Sequence, residues 1–291
     1  MSRSSFRAGL WLAQLGAVVL MLTTAPPAQA QFLKRLKKYA QKAQDIHKST
    51  TITDEQEKEL GREVAAKFID YYHLYSNEEV TRYVNLVGQT VAAQSERQDI
   101  QYHFAVLDSD DINAFSTPGG FIFVTRGALA LCEDESELAG VLGHEVAHVA
   151  DKDVIHVVER DKTMLAGMQE ASAHMQSNQW QQYLQNASKK ILVTVIDQGL
   201  APADEYNADQ KGVTYAYKAG YPADGLERFL TKLNQATDQG AHSFWTRTHP
   251  PVPDRNTRIQ QLITSNRWQD AERPKLADRF AQMTAVLKPK T

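Results

Sequence analysis

Asp134-Glu135-Ser136-Glu137-Leu138-Ala139-Gly140-Val141-Leu142-Gly143-His144-Glu145-Val146-Ala147-His148 is the stretch on which the fold turns. Asp134, with Glu137 three residues on, has the pattern of a capping box, so a helix opens here. Leu138, Val141 and Leu142 give it an apolar side, and it is predicted to run to about Lys152. Residues i and i+4 share a helix face, so His144 and His148 can turn both imidazoles toward one ion. Glu145 lies one residue after His144, about 100° round the helix. Its carboxylate then reaches the water to be activated rather than the metal, which suits a general base. An exposed charged helix with two ordinary histidines would carry the same letters. The motif's position in mid-helix behind a cap favours the metal reading.

A catalytic zinc commonly takes three protein ligands and keeps one position open. The longer form of the motif needs Gly at 151 and His at 154, and Asp151 and Val154 exclude it. His156, on a continuing helix, would lie two turns from His148 and out of reach of the same ion. Glu205 is the better third ligand. It stands in Asp204-Glu205-Tyr206-Asn207-Ala208-Asp209, on a helix opened by Pro202. Asp209 at i+4 shares its face and can accept a hydrogen bond from the outer nitrogen of a ligand histidine, His144 for preference. Ala208 and Gly212 are small enough to let this helix pack closely on the first. Alone, Glu-x-x-x-Asp is ordinary solvated surface; the metal motif upstream gives it weight. The site so read holds one Zn2+.

Working outward, Thr53 begins a helical pattern with Asp54 as its cap, one helix over about 55–72 and another over about 77–95. Gln101 to Leu107 alternates like a strand, and Phe121 to Thr125 reads as another, with Pro118-Gly119-Gly120 between. A small antiparallel sheet is expected. Residues 155–200 read as irregular helix, rich in Met, Gln and Ala. Asp224-Gly225-Leu226-Glu227 is a second capping box pattern, opening a helix to about Gln235. A loop over 236–252 carries His249-Pro250-Pro251, and two helices follow. The fold class is α+β, predominantly α, with the zinc metallopeptidase domain over 53–268 and a C-terminal helical tail over 269–291. No internal repeat is visible.

The chain has 291 residues, 42% hydrophobic, with a net charge of −3. A core can form, and nucleic acid is excluded as a partner because its binders are usually clearly basic. Arg3 and Arg7, the apolar run Ala8 to Leu22, and Ala28 and Ala30 in small-residue spacing read as a signal peptide over 1–30. The run is short for a retained membrane anchor, which needs about 20 residues. The single cysteine, Cys132, rules out an internal disulfide and reads as a small core residue. Residues 31–52 form a basic amphipathic leader. Phe32, Leu33, Leu36 and Tyr39 recur at helical spacing among Lys34, Arg35, Lys37 and Lys38. As a functional element, 31–49 would meet a membrane surface or a partner such as outer-membrane assembly machinery; as a solvated leader it would meet neither.

Four blocks, Asn113-Ala114-Phe115-Ser116-Thr117-Pro118-Gly119-Gly120 running on through Phe121 to Gly127, His144 to His148, Glu205 to Asp209, and Thr248-His249-Pro250-Pro251, stand in an order that resembles peptidase family forty-eight of the metallopeptidases. HtpX, BepA and the CAAX prenyl proteases belong to that family. The resemblance spans about residues 53–265 and implies a mostly helical zincin-like fold with a short sheet, one zinc and endopeptidase activity. The membrane spans of HtpX and the helical-repeat tail of BepA are missing here, which places the chain with the soluble periplasmic members. The resemblance also implies that 113–125 form a sheet edge above the cleft. Asn113, Ala114 and Phe115 would then bind an extended substrate by strand addition.

The function so read is a zinc-dependent periplasmic endopeptidase that degrades misfolded or unassembled envelope proteins by attack of metal-activated water on the peptide bond. Glu145 moves the proton. His249 has three readings: an oxyanion donor, a latent fourth zinc ligand released on activation, or a loop histidine with no role. The latch is preferred for the resting protein, with 160–186 as a lid. The alternative function is a chaperone-like periplasmic binding protein with a silenced metal site; a non-peptide amide substrate is a third. Mass spectrometry of the exported protein tests the targeting reading. A chain beginning at Gln31 is expected, and one beginning near Met1 and partitioning with membranes would overturn it.

Overall fold

The computed structural model of the chain describes residues 51–172, 178–243, 245–269 and 272–287. The signal segment, residues 31–50 of the leader, 173–177 of the proposed lid and the last four residues lie outside them. Thr53 opens helix α1 (Asp54–Tyr72): its side chain accepts from Gln56 N, and the Gln56 side chain accepts from Thr53 N. Asp54, expected as the cap, is instead the first helical residue. Asn77 caps α2 (Glu78–Ala92) through Val80 N.

Three strands follow: β1 (His103–Leu107), β2 (Ala114–Thr117) and β3 (Phe121–Thr125). Their order is β1-β3-β2, with β3 parallel to β1 and antiparallel to β2. The sheet is therefore mixed, not wholly antiparallel as expected. The chain reverses after β1 and again at Pro118–Gly120, so β3 returns into the gap between the other two. The second reversal needs Gly119 and Gly120 at φ 75° and 98°, open to glycine at little cost. Only β2 is an edge on this side of the sheet. Phe121 to Thr125 is central, which fits a near-continuous apolar run.

After α3 (Arg126–Leu131) comes α4 (Glu135–Ala150), capped by Asp134 through Glu137 N. The Glu137 carboxylate accepts from Glu133 N rather than closing the box on Asp134. Every residue of α4 from Glu135 to Val149 is buried, as in a helix at the centre of a domain. Then come α5 (Asp153–Arg160), α6 (Lys162–Ser172), α7 (Asn178–Val193), a π-helical turn (Thr194–Gln198), α8 (Pro202–Lys218), α9 (Gly225–Asp238), α10 (Trp245–Thr248), α11 (Val252–Asn266) and α12 (Ala277–Met283). Asp224 precedes α9 but makes no side-chain cap; its Oδ2 takes Arg228 Nε instead, so the second capping box does not form.

Residues 52–291 form one compact unit. One apolar cluster joins α2, the sheet, α4, α8, α9 and α11; a second joins α1 to α5, α6 and α7 through Phe68, Phe115, Met168 and Trp180. The described parts of 160–186 thus pack their apolar side on α1. No described residue of 160–186 lines the cleft over His148; Val195, Gly199 and Leu200 do. A buried ion pair, Arg97 to Glu57 at 2.7 Å, ties α1 inward. Arg97 also donates to Val149 O at the end of α4, and Glu57 accepts from Gly119 N.

The contact that positions the site is the crossing of α4 and α8. A Cβ on Gly212 would fall 2.5 Å from His144 N, and one on Gly143 2.7 Å from Gly212 O. The two backbones touch because neither residue has a side chain. Gly212→Val should therefore force the helices apart and cost at least about 1–3 kcal/mol by overpacking, read by urea unfolding. A variant as stable as the parent would show that the crossing can yield.

Candidate metal centre

The cluster starts from one turn of α4. His144 and His148 stand edge to face, their ring centroids 4.6 Å apart and their Nε2 atoms 3.1 Å apart. From α8, Glu205 brings Oε2 to 3.5 Å from His144 Nε2 and Oε1 to 3.7 Å from His148 Nε2. From the turn after α10, His249 brings Nε2 to 3.1 Å from Glu205 Oε2. One ligand atom from each of the four lies within 4.8 Å of the others. The sequence reading named these four residues, and the chain brings all of them to one point.

Each ring's other nitrogen is already committed. His144 Nδ1 lies 3.0 Å from Asp209 Oδ1, and His148 Nδ1 lies 2.7 Å from Asp153 Oδ2. His249 Nδ1 lies 3.1 Å from Trp245 O and 3.0 Å from Thr248 Oγ1. In their neutral forms His144 and His148 therefore turn a bare Nε2 lone pair to the same place, and His249 Nε2 lies there too. Glu205 Oε2 has no hydrogen-bond partner there among the described residues. Such a gathering of lone pairs and negative charge, buried from water, calls for a cation between them. Two ligands of a tetrahedral zinc at its usual bond lengths would lie about 3.3 Å apart, close to the spacing of His144 and His148. The donor set of three imidazoles and a carboxylate fits zinc.

The charges around the cluster show the same demand. Burial opposes protonation of His148, yet Glu205 and Asp153 push its pKa up to about 9. His144 is likewise raised against its burial, by Asp209 and Glu205. Burial would raise Glu205, but the histidines around it hold it well below the usual carboxylate range. Burial brings His249 down to about 3, so it is neutral, the form that binds a metal. Burial raises Glu145; its carboxyl lines the cleft beside Ser116 and His148 and stands apart from the four ligand atoms.

Asn113, Ala114 and Phe115 also line the cleft, at the start of edge strand β2. The Phe115 ring stacks on Phe68 with centroids 4.1 Å apart, so its side chain belongs to the core. Three contributors were missed in the sequence. Arg255, fully buried on α11, donates to both oxygens of Asp209, from Nε at 2.9 Å and NH2 at 2.6 Å. Trp245 packs its ring against His144 and His249. Asp153 stands behind His148. None carries a local signal: Arg255 is 46 residues from its partner.

Comparison with known proteins bears on the same region. A beta-barrel assembly-enhancing protease of Yersinia pestis is 25% identical over 191 residues, 60% of this chain and 37% of that protein. The mitochondrial metalloendopeptidase OMA1 of Schizosaccharomyces pombe is 26% identical over 208 residues, 71% of this chain and 58% of its own length. A protease HtpX homolog of Campylobacter concisus is 30% identical over 199 residues, 54% of this chain and 67% of its own. The chain thus spans little more than a third of the Yersinia protein. The model of peptidase family M48 matches residues 78–263, from α2 into α11, and so takes in the sheet, the whole histidine and glutamate cluster, and Asp209 and Arg255. A mostly helical fold with a small sheet, and that match over more than half its length, establish that the chain belongs to peptidase family M48, the zincin-like metallopeptidases.

Proposed function

We propose that the protein is a zinc-dependent endopeptidase with His144, His148 and Glu205 as its metal ligands. The observation that carries this is the convergence of their Nε2 and carboxylate atoms at one buried point, with Glu145 next to it and outside the set. Zinc, when bound there, would polarise the scissile carbonyl and lower the pKa of an attacking water. The chain's own residues do the rest. Glu145, buried and raised toward neutrality, takes the proton of the attacking water and hands it to the leaving amine. Asp209, clamped by Arg255, fixes the His144 tautomer. The backbone of Asn113, Ala114 and Phe115 offers an extended peptide an added-strand position.

His249 we read as a fourth ligand that holds the resting enzyme shut. Two features favour this over an oxyanion donor. Its Nε2 lies within 4.8 Å of the other three ligand atoms. The space over the cluster is small, about 30 Å³. A peptide enters only if the His249 turn or the Val195–Leu200 wall moves.

Substrates and location follow from the relatives by name and from the leader by composition. We infer unfolded or misassembled envelope proteins as substrates and the periplasm as the compartment. No helix among the described residues is long and apolar enough to cross a membrane.

Glu145→Gln should keep zinc and fold while casein digestion falls by about 10²–10⁴-fold; activity within about tenfold of the parent would remove Glu145 as the base. His249→Ala should raise basal proteolysis of the same substrate. A fall of about 10²–10³-fold would instead assign His249 to the oxyanion.

A further inference from the structure

Lys152 stands between α4 and α5 with φ 58° and ψ 33°, the left-handed region in which non-glycine residues are uncommon. Its ammonium reaches Asp54 at 2.8 Å and Glu57 at 3.2 Å, both on α1. The turn decides where the next side chain goes. On an unbroken helix Asp153, five residues after His148, would lie about 140° round the axis and face away from it. After the left-handed turn, Asp153 Oδ2 comes to 2.7 Å from His148 Nδ1, with both side chains almost wholly buried.

The two carboxylates behind the two helical histidines are not equivalent. Asp209 shares its charge with Arg255, which binds both its oxygens. Asp153 has no such clamp among the described residues: the other basic group paired with it there is His156, at 3.9 Å and half exposed. Asp153 therefore delivers most of its charge to His148. A carboxylate so placed fixes the proton on Nδ1, strengthens Nε2 as a donor and holds the ring's orientation.

We propose that Asp153, delivered by the left-handed turn at Lys152, is a positioning residue that holds His148 Nε2 on the metal. This rests on the reading of the cluster as a zinc site. Asp153 also begins α5, where an acidic residue stabilises a helix N-terminus, so the test needs a readout that helix stability does not move.

That readout is zinc release from the full mature chain to a colorimetric chelator, with thermal unfolding of the metal-free forms alongside. Asp153→Asn should release zinc about 10–100-fold faster than the parent, with the metal-free melting temperature unchanged. Lys152→Gly and Lys152→Val test the turn without touching either member of the pair. Glycine accepts the left-handed conformation and should release zinc at the parental rate; a β-branched valine resists it and should release zinc faster. A parent chain that binds no zinc removes the metal reading itself. A parent that holds zinc while Asp153→Asn releases it at the parental rate overturns this inference alone, and equal rates for the two Lys152 variants overturn the role of the turn.

Discussion

Four electron-rich atoms held within 4.8 Å of one another in a buried pocket are the constraint around which the molecule is arranged. Three imidazoles and a carboxylate so close, and buried, need compensating charge. The surroundings hold them in place from behind. Asp209, Asp153 and Trp245 O occupy the outer nitrogens, Arg255 neutralises Asp209, and the Trp245 ring fills the space beside His144 and His249. A cation bound there would complete the charge balance. Because α4 is buried on all sides, the histidines cannot swing away to water when the cation is missing. Against its burial, Glu205 and Asp153 hold the His148 pKa up to about 9.

Holding the atoms there depends on backbone contacts as much as on side chains. The Gly143–Gly212 crossing sets how near Glu205 comes to the histidines. The Arg97–Glu57 pair, with its bonds to Val149 O and Gly119 N, fixes the far end of α4 against α1 and the β2–β3 turn. The same α1 holds Lys152 in its left-handed turn. One helix outside the cluster thus steadies both the β2–β3 turn and the residue behind His148.

The parts of this that the sequence displayed are those carried by local spacing. The i, i+4 histidines, the Glu205–Asp209 pair on one helix face and the Asp134 cap need only helix geometry, and each is where that geometry puts it. What was hidden depends on breaks in regular structure or on distant partners. Asp153 looks misplaced on an ideal helix and becomes useful only after Lys152 turns left-handed. Arg255 meets Asp209 by tertiary packing alone. The sheet was misjudged because alternation reveals a strand but not its neighbour: β3 enters between β1 and β2, so one pair is parallel. Asp224 had the letters of a cap, but Arg228 competes for its carboxylate and wins.

The central claim, that the buried cluster holds one zinc through these residues, is tested most directly by X-ray absorption at the zinc edge on the purified protein, with total metal content. The expected result is one zinc per chain in a four-coordinate shell of three imidazoles and one carboxylate, with one imidazole lost in His249→Ala. A chain purified without zinc that also fails to take it up, or a metal whose ligand shell is unchanged in both His144→Ala and Glu205→Ala, would contradict it.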